Sequence, residues 1–226
     1  MLSAINFTLG LDDPLLKNHC YNIPYKEKLE KHFGIPAIGY TCHFEALVQI
    51  ILGQQVSVIV ANKIRSKFTK KFGDVIKHKD KIYYAFPRPS KIINQSTTNL
   101  RMLGMSETKS KSIILLSKEF AEKNLSSDIQ AANNIDSIRN RLIQMYGIGD
   151  WTIDWFLLRA LRRFEIIPST DIAVRKAFTW WANKKIVMTS TAVNNYAKKL
   201  NPFGGSLTYR ILSAYQTTLN RVNNLD

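Results

Sequence analysis

Apolar residues recur at helical spacing along most of the chain, and no stretch alternates convincingly in the manner of a half-buried strand. Residues 1–13 are mixed and read as an extended lead-in. Asp12 or Asp13 ahead of Pro14 is a helix start signal, and one or two helices follow as far as Phe33, before a loop marked by Gly34, Pro36 and Gly39. An apolar helix is predicted over 44–52. Gly53 interrupts it, and an amphipathic stretch resumes to Phe72 and closes at Gly73. Residues 74–88 are basic and irregular. A short helix follows at 90–95, the stretch 100–105 ends in Leu103-Gly104-Met105, and then come a helix over 107–123 capped by Ser106 with Thr108 and one from Asp136 that ends with Leu142, Ile143 and Met145. Trp151, Trp155, Leu158 and Arg162 stand at i, i+4, i+7 and i+11 on one stripe of the next helix. A helix opens at Ile172, another at Ser190 or Thr191, and a last one at Ser206. The expected fold class is all-α.

Composition narrows the setting. The longest apolar run, residues 48–61, is broken by Gln49, Gly53, Gln54, Gln55 and Ser57 and is too interrupted to span a bilayer. No basic segment followed by an apolar core opens the chain. The expectation is therefore an intracellular protein without a membrane partner, cytoplasmic in a prokaryote or nuclear in a eukaryote. Cys20 and Cys42 are the only cysteines, too few and too far apart for a four-cysteine iron–sulfur or zinc site. The four histidines, at 19, 32, 43 and 78, are scattered and suggest no catalytic metal. The formal charge of +15 argues for a polyanionic partner. Residues 1–43 are net neutral, so the whole surplus lies beyond them. Lys63, Arg65, Lys67, Lys70 and Lys71 form one dense group, and Lys77, Lys79 and Lys81 another.

One stretch, 142–178, concentrates the candidate chemistry. Gly147-Ile148-Gly149 is a tight turn between two helices, and the amides at the second helix's N-terminus, with the positive end of its dipole, suit a phosphate oxygen. An ordinary helical corner would read the same way. Farther on, Ser169-Thr170-Asp171 precedes an amphipathic helix, so Asp171 is by default an N-cap, worth about 1 kcal/mol.

The longer pattern resembles the helix-hairpin-helix DNA glycosylases, in which a GxG hairpin is followed about twenty residues on by an aspartate opening a helix. GIGDWT at 147–152 and DIAVRKAF at 171–178 look most like the 3-methyladenine-DNA glycosylase II (AlkA-like) branch, and LGQQVS at 52–57 resembles that branch's helix junction. The resemblance covers roughly residues 40–215. It implies two helical lobes with a cleft between them: residues 44–165, ending in the hairpin, and residues 1–43 with 166–226, carrying Asp171. Some relatives carry a C-terminal iron–sulfur cluster, which a chain with no cysteine after Cys42 cannot build. The larger branch members carry an N-terminal β-domain, for which residues 1–43 leave too little chain.

The resemblance also assigns roles. Asp171 is the expected catalytic carboxylate, stabilising positive charge on the sugar as the N-glycosidic bond breaks. Trp151, Trp155, Phe203 and Tyr209 are the candidate base pocket, with Trp155 closest to the branch's pocket aromatic; core packing is the alternative for each. Gln55 is the candidate wedge that fills the gap left by a flipped base, unless Gln54 and Gln55 merely satisfy backbone groups near Gly53. The amides of Gly147, Gly149 and Trp151 are the expected phosphate contacts. Carbonyls of Ile143, Met145 and Gly147 would hold the monovalent cation, Na⁺ or K⁺, common in such hairpins; no other cofactor is expected. Asp150 departs from the basic residue often found there, and an acid beside phosphate would repel. Members that also nick the strand carry a lysine two residues after the second hairpin glycine; Trp151 occupies that position, so no Schiff base can form. The reading that follows is a monomeric, monofunctional glycosylase releasing alkylated purines such as 3-methyladenine or 7-methylguanine from duplex DNA. A non-catalytic DNA-binding module and a glycosylase for other lesions are the alternatives.

Overall fold

The computed structural model describes residues 2–14, 23–132, 134–200 and 202–223. Residues 15–22, which hold Cys20 and much of the helix expected before Phe33, lie outside the described residues, as does Asn201. Helices dominate: α1 (Leu2–Leu9), α2 (His43–Gly53), α3 (Val58–Phe72), α4 (Thr97–Arg101), α5 (Glu107–Ala121), α6 (Asn124–Ala131), α7 (Ile135–Ile143), α8 (Asp150–Ala160), α9 (Ile172–Trp181), α10 (Ser190–Lys199) and α11 (Gly204–Asn223). Among the described residues no helix is long and apolar enough to cross a membrane.

The chain divides into two compact units, one of residues Cys42–Ile153 and one of Met1–Thr41 with Asp154–Asp226. In the first, α2 is buried along nearly its whole length, which is why it carries Phe44, Leu47, Ile50 and Ile51 with few polar interruptions. α3 and α5 flank it and add Phe68, Ile113 and Leu116 to the core. Side chains cap the helices: Ser106, as expected, accepts from Lys109 N–H, Ser57 accepts from Val60 N–H, and Asn134 accepts from Ser137 N–H, one residue ahead of a helix that starts at Ile135 rather than Asp136.

The residues expected to be irregular after Gly73 form an antiparallel hairpin, β1 (Val75–His78) with β2 (Lys81–Tyr84), in the register Val75 opposite Tyr84 and His78 opposite Lys81. Every residue of both strands is exposed, so neither face is selected for apolar residues and the alternation that marks a strand is missing. The lead-in also differs: it forms α1, whose described side chains are largely exposed.

In the second unit, α9 and the 3-10 turn at Lys26–His32 pack on α11. Val174, Phe178, Trp181, Leu207 and Ile211 make the core, with Leu29 from the turn. Lys28 donates to the carbonyls of Trp180 (2.8 Å) and Trp181 (3.1 Å), capping the C-terminal end of α9 with a cation. Asp13, fully buried, pairs with Arg210 at 3.0 Å and accepts from the Ala37 amide and the Ser206 hydroxyl. The N-terminal segment is thus bonded directly to the last helix.

Candidate functional site

Gly147 has φ +77°, and an added Cβ would meet Ser112 at 3.0 Å, so the turn requires glycine there for conformation and for space. Ile148 is buried, and its N–H closes the turn on the Met145 carbonyl at 3.1 Å. A Cβ added at Gly149 would meet nothing of the chain. The first intrahelical bond of α8 is Ile153 N–H to the Gly149 carbonyl, 3.0 Å, which leaves the amides before it at a helix N-terminus. Asp150 does not stand as a bare acid beside this turn: Arg139 donates to it at 2.9 Å.

The turn between α2 and α3 is fastened to the hairpin. Gln54 donates to the Gly147 carbonyl (3.0 Å) and to the Thr152 hydroxyl (2.9 Å). Gln55 beside it has φ +52°, is exposed, and its side chain bonds no described residue. The two glutamines have opposite duties: Gln54 satisfies a backbone group, and Gln55 projects from a left-handed position that costs a non-glycine residue about 1 kcal/mol. Below the turn, Lys109 donates to the Leu52 carbonyl at 3.3 Å and Arg65 to the Gln49 carbonyl at 2.8 Å. Two cations therefore cap the C-terminal end of α2. Burial, and then the nearby Arg65 charge, hold the Lys109 amine below the ordinary lysine range. Trp151, in the first turn of α8, is half-buried.

In the other unit, Asp171 caps α9. Its Oδ1 accepts from the amides of Ala173 (2.7 Å) and Val174 (3.3 Å), and its Oδ2 accepts from the Trp155 indole N–H at 3.1 Å. The segment leading to it is set by turns, Asp171 N–H to the Pro168 carbonyl at 3.0 Å, and by the buried Ser169 hydroxyl against Ser190 at 2.8 Å. Trp155 meets Tyr209 edge-to-face, ring centroids 6.1 Å apart. The ring of Tyr209 is half-buried while its hydroxyl is sealed from solvent without a hydrogen-bond partner among the described residues, and burial pushes the phenol up to about 12. Phe203 packs against the core of this unit, as does Trp155. Three features carried no sequence signal: the indole-to-carboxylate bond, the Gln54 tether, and the Arg139–Asp150 pair.

With this geometry in view, residues 48–202 match the HhH-GPD superfamily of base excision DNA repair proteins. The chain belongs to that superfamily. This HhH-GPD protein is 33% identical over 168 residues to a DNA-3-methyladenine glycosylase of Bacillus subtilis, covering 74% of this chain and 52% of the relative. It is 26% identical to DNA-3-methyladenine glycosylase 2 of Escherichia coli, over 75% of this chain and 57% of that one. It thus spans little more than half the length of these curated relatives. Its fold is that of the 3-methyladenine DNA-glycosylase of Archaeoglobus fulgidus, with a TM-score of 0.80 at 22% identity, covering 96% of this chain and 74% of that one.

Proposed function

We propose that this HhH-GPD protein is a monofunctional DNA glycosylase that hydrolyses the N-glycosidic bond of alkylated purines in duplex DNA. The observation that carries the proposal is the Asp171 carboxylate, fixed by two backbone amides and one indole N–H at the mouth of α9. A carboxylate needed only as a cap would not require a third donor from a residue sixteen positions away. Fixing both oxygens removes the reorganisation a solvent-facing carboxylate would undergo as charge develops beside it.

The chemistry needs only one such group. A purine alkylated at a ring nitrogen already bears positive charge. When the C1′–N bond breaks, the electron pair leaves with the base, which departs neutral, and the positive charge passes to the sugar. Asp171 stabilises that oxocarbenium character; water then adds at C1′ and releases a proton. No general acid is required, and Trp151 in place of an amine leaves no Schiff base, so the strand stays intact.

The turn residues suit base extrusion. Gln55, free and projecting, would occupy the gap left by the flipped nucleotide, while Gln54 holds the turn in place. The open space over Gly149 would admit a phosphate against the amides of the hairpin and α8. A monovalent cation fits by sharing: the Met145 and Gly147 carbonyls each accept one N–H and keep a second lone pair. With the Ile143 carbonyl they would hold it, and its charge would help to bind phosphate.

The test is duplex DNA carrying 3-methyladenine or 7-methylguanine, with wild type beside Asp171→Asn. Asparagine caps a helix nearly as well as aspartate, so the fold should hold while the charge is lost. Wild type should release free base and leave the strand uncut until alkali is added; the variant should bind DNA and release nearly none. Binding without base release by either protein, on these and on deaminated lesions, would sink the enzymatic reading in favour of a binding module.

A further inference from the structure

Between Val56 and Lys91 the chain holds ten Lys and Arg against Asp74 and Asp80, a surplus of eight out of the chain's net fifteen. Asp74 is already matched by Lys91 (3.3 Å) and Arg88 (3.8 Å). Lys63, Lys67, Lys70 and Lys71 stand at i, i+4, i+7 and i+8 of α3, an exposed stripe, and Lys77, Lys79 and Lys81 are exposed on the hairpin that follows. None of these seven has an acidic partner among the described residues.

The hairpin is held in place although neither of its faces is covered. At its root Gly73 approaches the strand so closely that a Cβ would lie 2.0 Å from the Ala85 carbonyl oxygen, and Ala85 N–H bonds the Asp74 carbonyl at 2.9 Å. Phe86 then inserts between Phe68 (5.8 Å) and Phe44 (6.2 Å). Beyond this root, Val75, Ile76, Ile82, Tyr83 and Tyr84 are all exposed beside the lysines. A free two-stranded hairpin is marginal in water, so a rooted one with apolar, tyrosine and lysine side chains open on both faces presents itself to a partner. Lysine ammoniums and tyrosine hydroxyls are donors for phosphate oxygens.

We propose that the exposed lysine stripe of α3 and the hairpin at 75–84 form a second duplex-binding surface, which takes the phosphodiester backbone flanking the damaged nucleotide. This rests on the DNA-glycosylase reading of the site. In the complex proposed, α3 runs along the duplex from the Gln55 turn, and its fifteen residues span about 22 Å, so the hairpin beyond its far end meets backbone more than six base pairs from a lesion held at that turn. An 11-base-pair duplex centred on the lesion reaches roughly 19 Å to either side at 3.4 Å per pair and would end short of that backbone.

The experiment measures the affinity of wild type and of the triple variant K77Q/K79Q/K81Q for abasic-site duplexes of 11 and 30 base pairs across a salt series. No base release is needed for this readout, so failure of the enzymatic reading would leave it interpretable. The three side chains are exposed and make no acidic pair, and an unchanged melting curve verifies the fold of the variant. On the 30-mer the variant should bind on the order of tenfold or more weakly. Its slope of log affinity against log salt should fall by about 1 to 2, near 0.9 for each phosphate left unneutralised, since Lys77 and Lys81 stand on opposite faces of the hairpin. On the 11-mer the two proteins should agree within about twofold, and base release from a saturated short methylated duplex should be unchanged. Equal slopes on the 30-mer would overturn the proposal and leave the lysines as a solvated face. Equal weakening on both lengths would overturn it too, by placing their effect at the lesion.

Discussion

Asp171 accepts from the indole N–H of Trp155, which gives this residue a duty besides the expected place in the base pocket. Its N–H fixes Oδ2 while the helix amides fix Oδ1, so it acts as a positioning residue for the proposed catalytic carboxylate. Trp155→Phe keeps a flat aromatic ring against Tyr209 but deletes the donor. A hydrogen bond to a charged group contributes about 1.5 to 3 kcal/mol, so kcat for base release should fall roughly 10- to 100-fold. Affinity for an abasic duplex should stay within about twofold; a variant with unchanged kcat would leave Trp155 as packing alone. In the sequence Asp171 is legible as a cap, because Ser-Thr-Asp precedes an amphipathic helix. Its third donor is not, because sixteen residues and a loop separate the partners and an indole N–H leaves no mark in a pattern. Gln54 and Gln55 are likewise indistinguishable as letters; the backbone angle at Gln55 separates them.

Within the helix–turn–helix element the two glycines do different work, and substitution should part them. Gly147→Ala forces a side chain into a left-handed backbone and against Ser112, and should lower stability by about 1 to 2 kcal/mol, read as a fall in Tm. Gly149→Ala enters open space, so Tm should hold while duplex affinity falls, because the methyl group stands where a phosphate would approach. Loss of Tm at both positions, or of affinity at neither, would refute this division. Elements with a buried stripe and a side-chain cap, such as α3, α5 and α9, are legible in the sequence because packing and capping write both signals into it. The β-hairpin, exposed on both faces, and α1, in which only Phe7 among residues 2–9 is half-buried, are not, since neither carries a burial pattern.

For the whole molecule, one buried group makes stability depend on alkali. The phenol of Tyr209 is raised to about 12 from the ordinary 10.0, first by burial. The unfolded chain therefore loses this proton first, so the contribution is intact below about pH 10 and drains away as pH rises toward 12. Tyr209→Phe should flatten the fall of Tm between about pH 10 and 12. At neutral pH it should leave stability equal or higher by up to about 1 kcal/mol, since the lost hydroxyl has no partner. Parallel melting profiles for the two proteins would refute this.

The buried Asp13–Arg210 pair also governs the order in which the molecule can be made. Asp13 meets its partner only when residue 210 exists, and between the two parts of their unit the ribosome must deliver all of Cys42–Ile153. At 5 to 20 residues per second the wait is roughly 10 to 40 seconds, long enough for that middle unit to fold first. Until then the N-terminal segment holds an unneutralised carboxylate and an unfilled place in the core. A nascent chain of this protein thus carries the segment around Asp13 as an open strap, fastened only once the helix that bears Arg210 has been made.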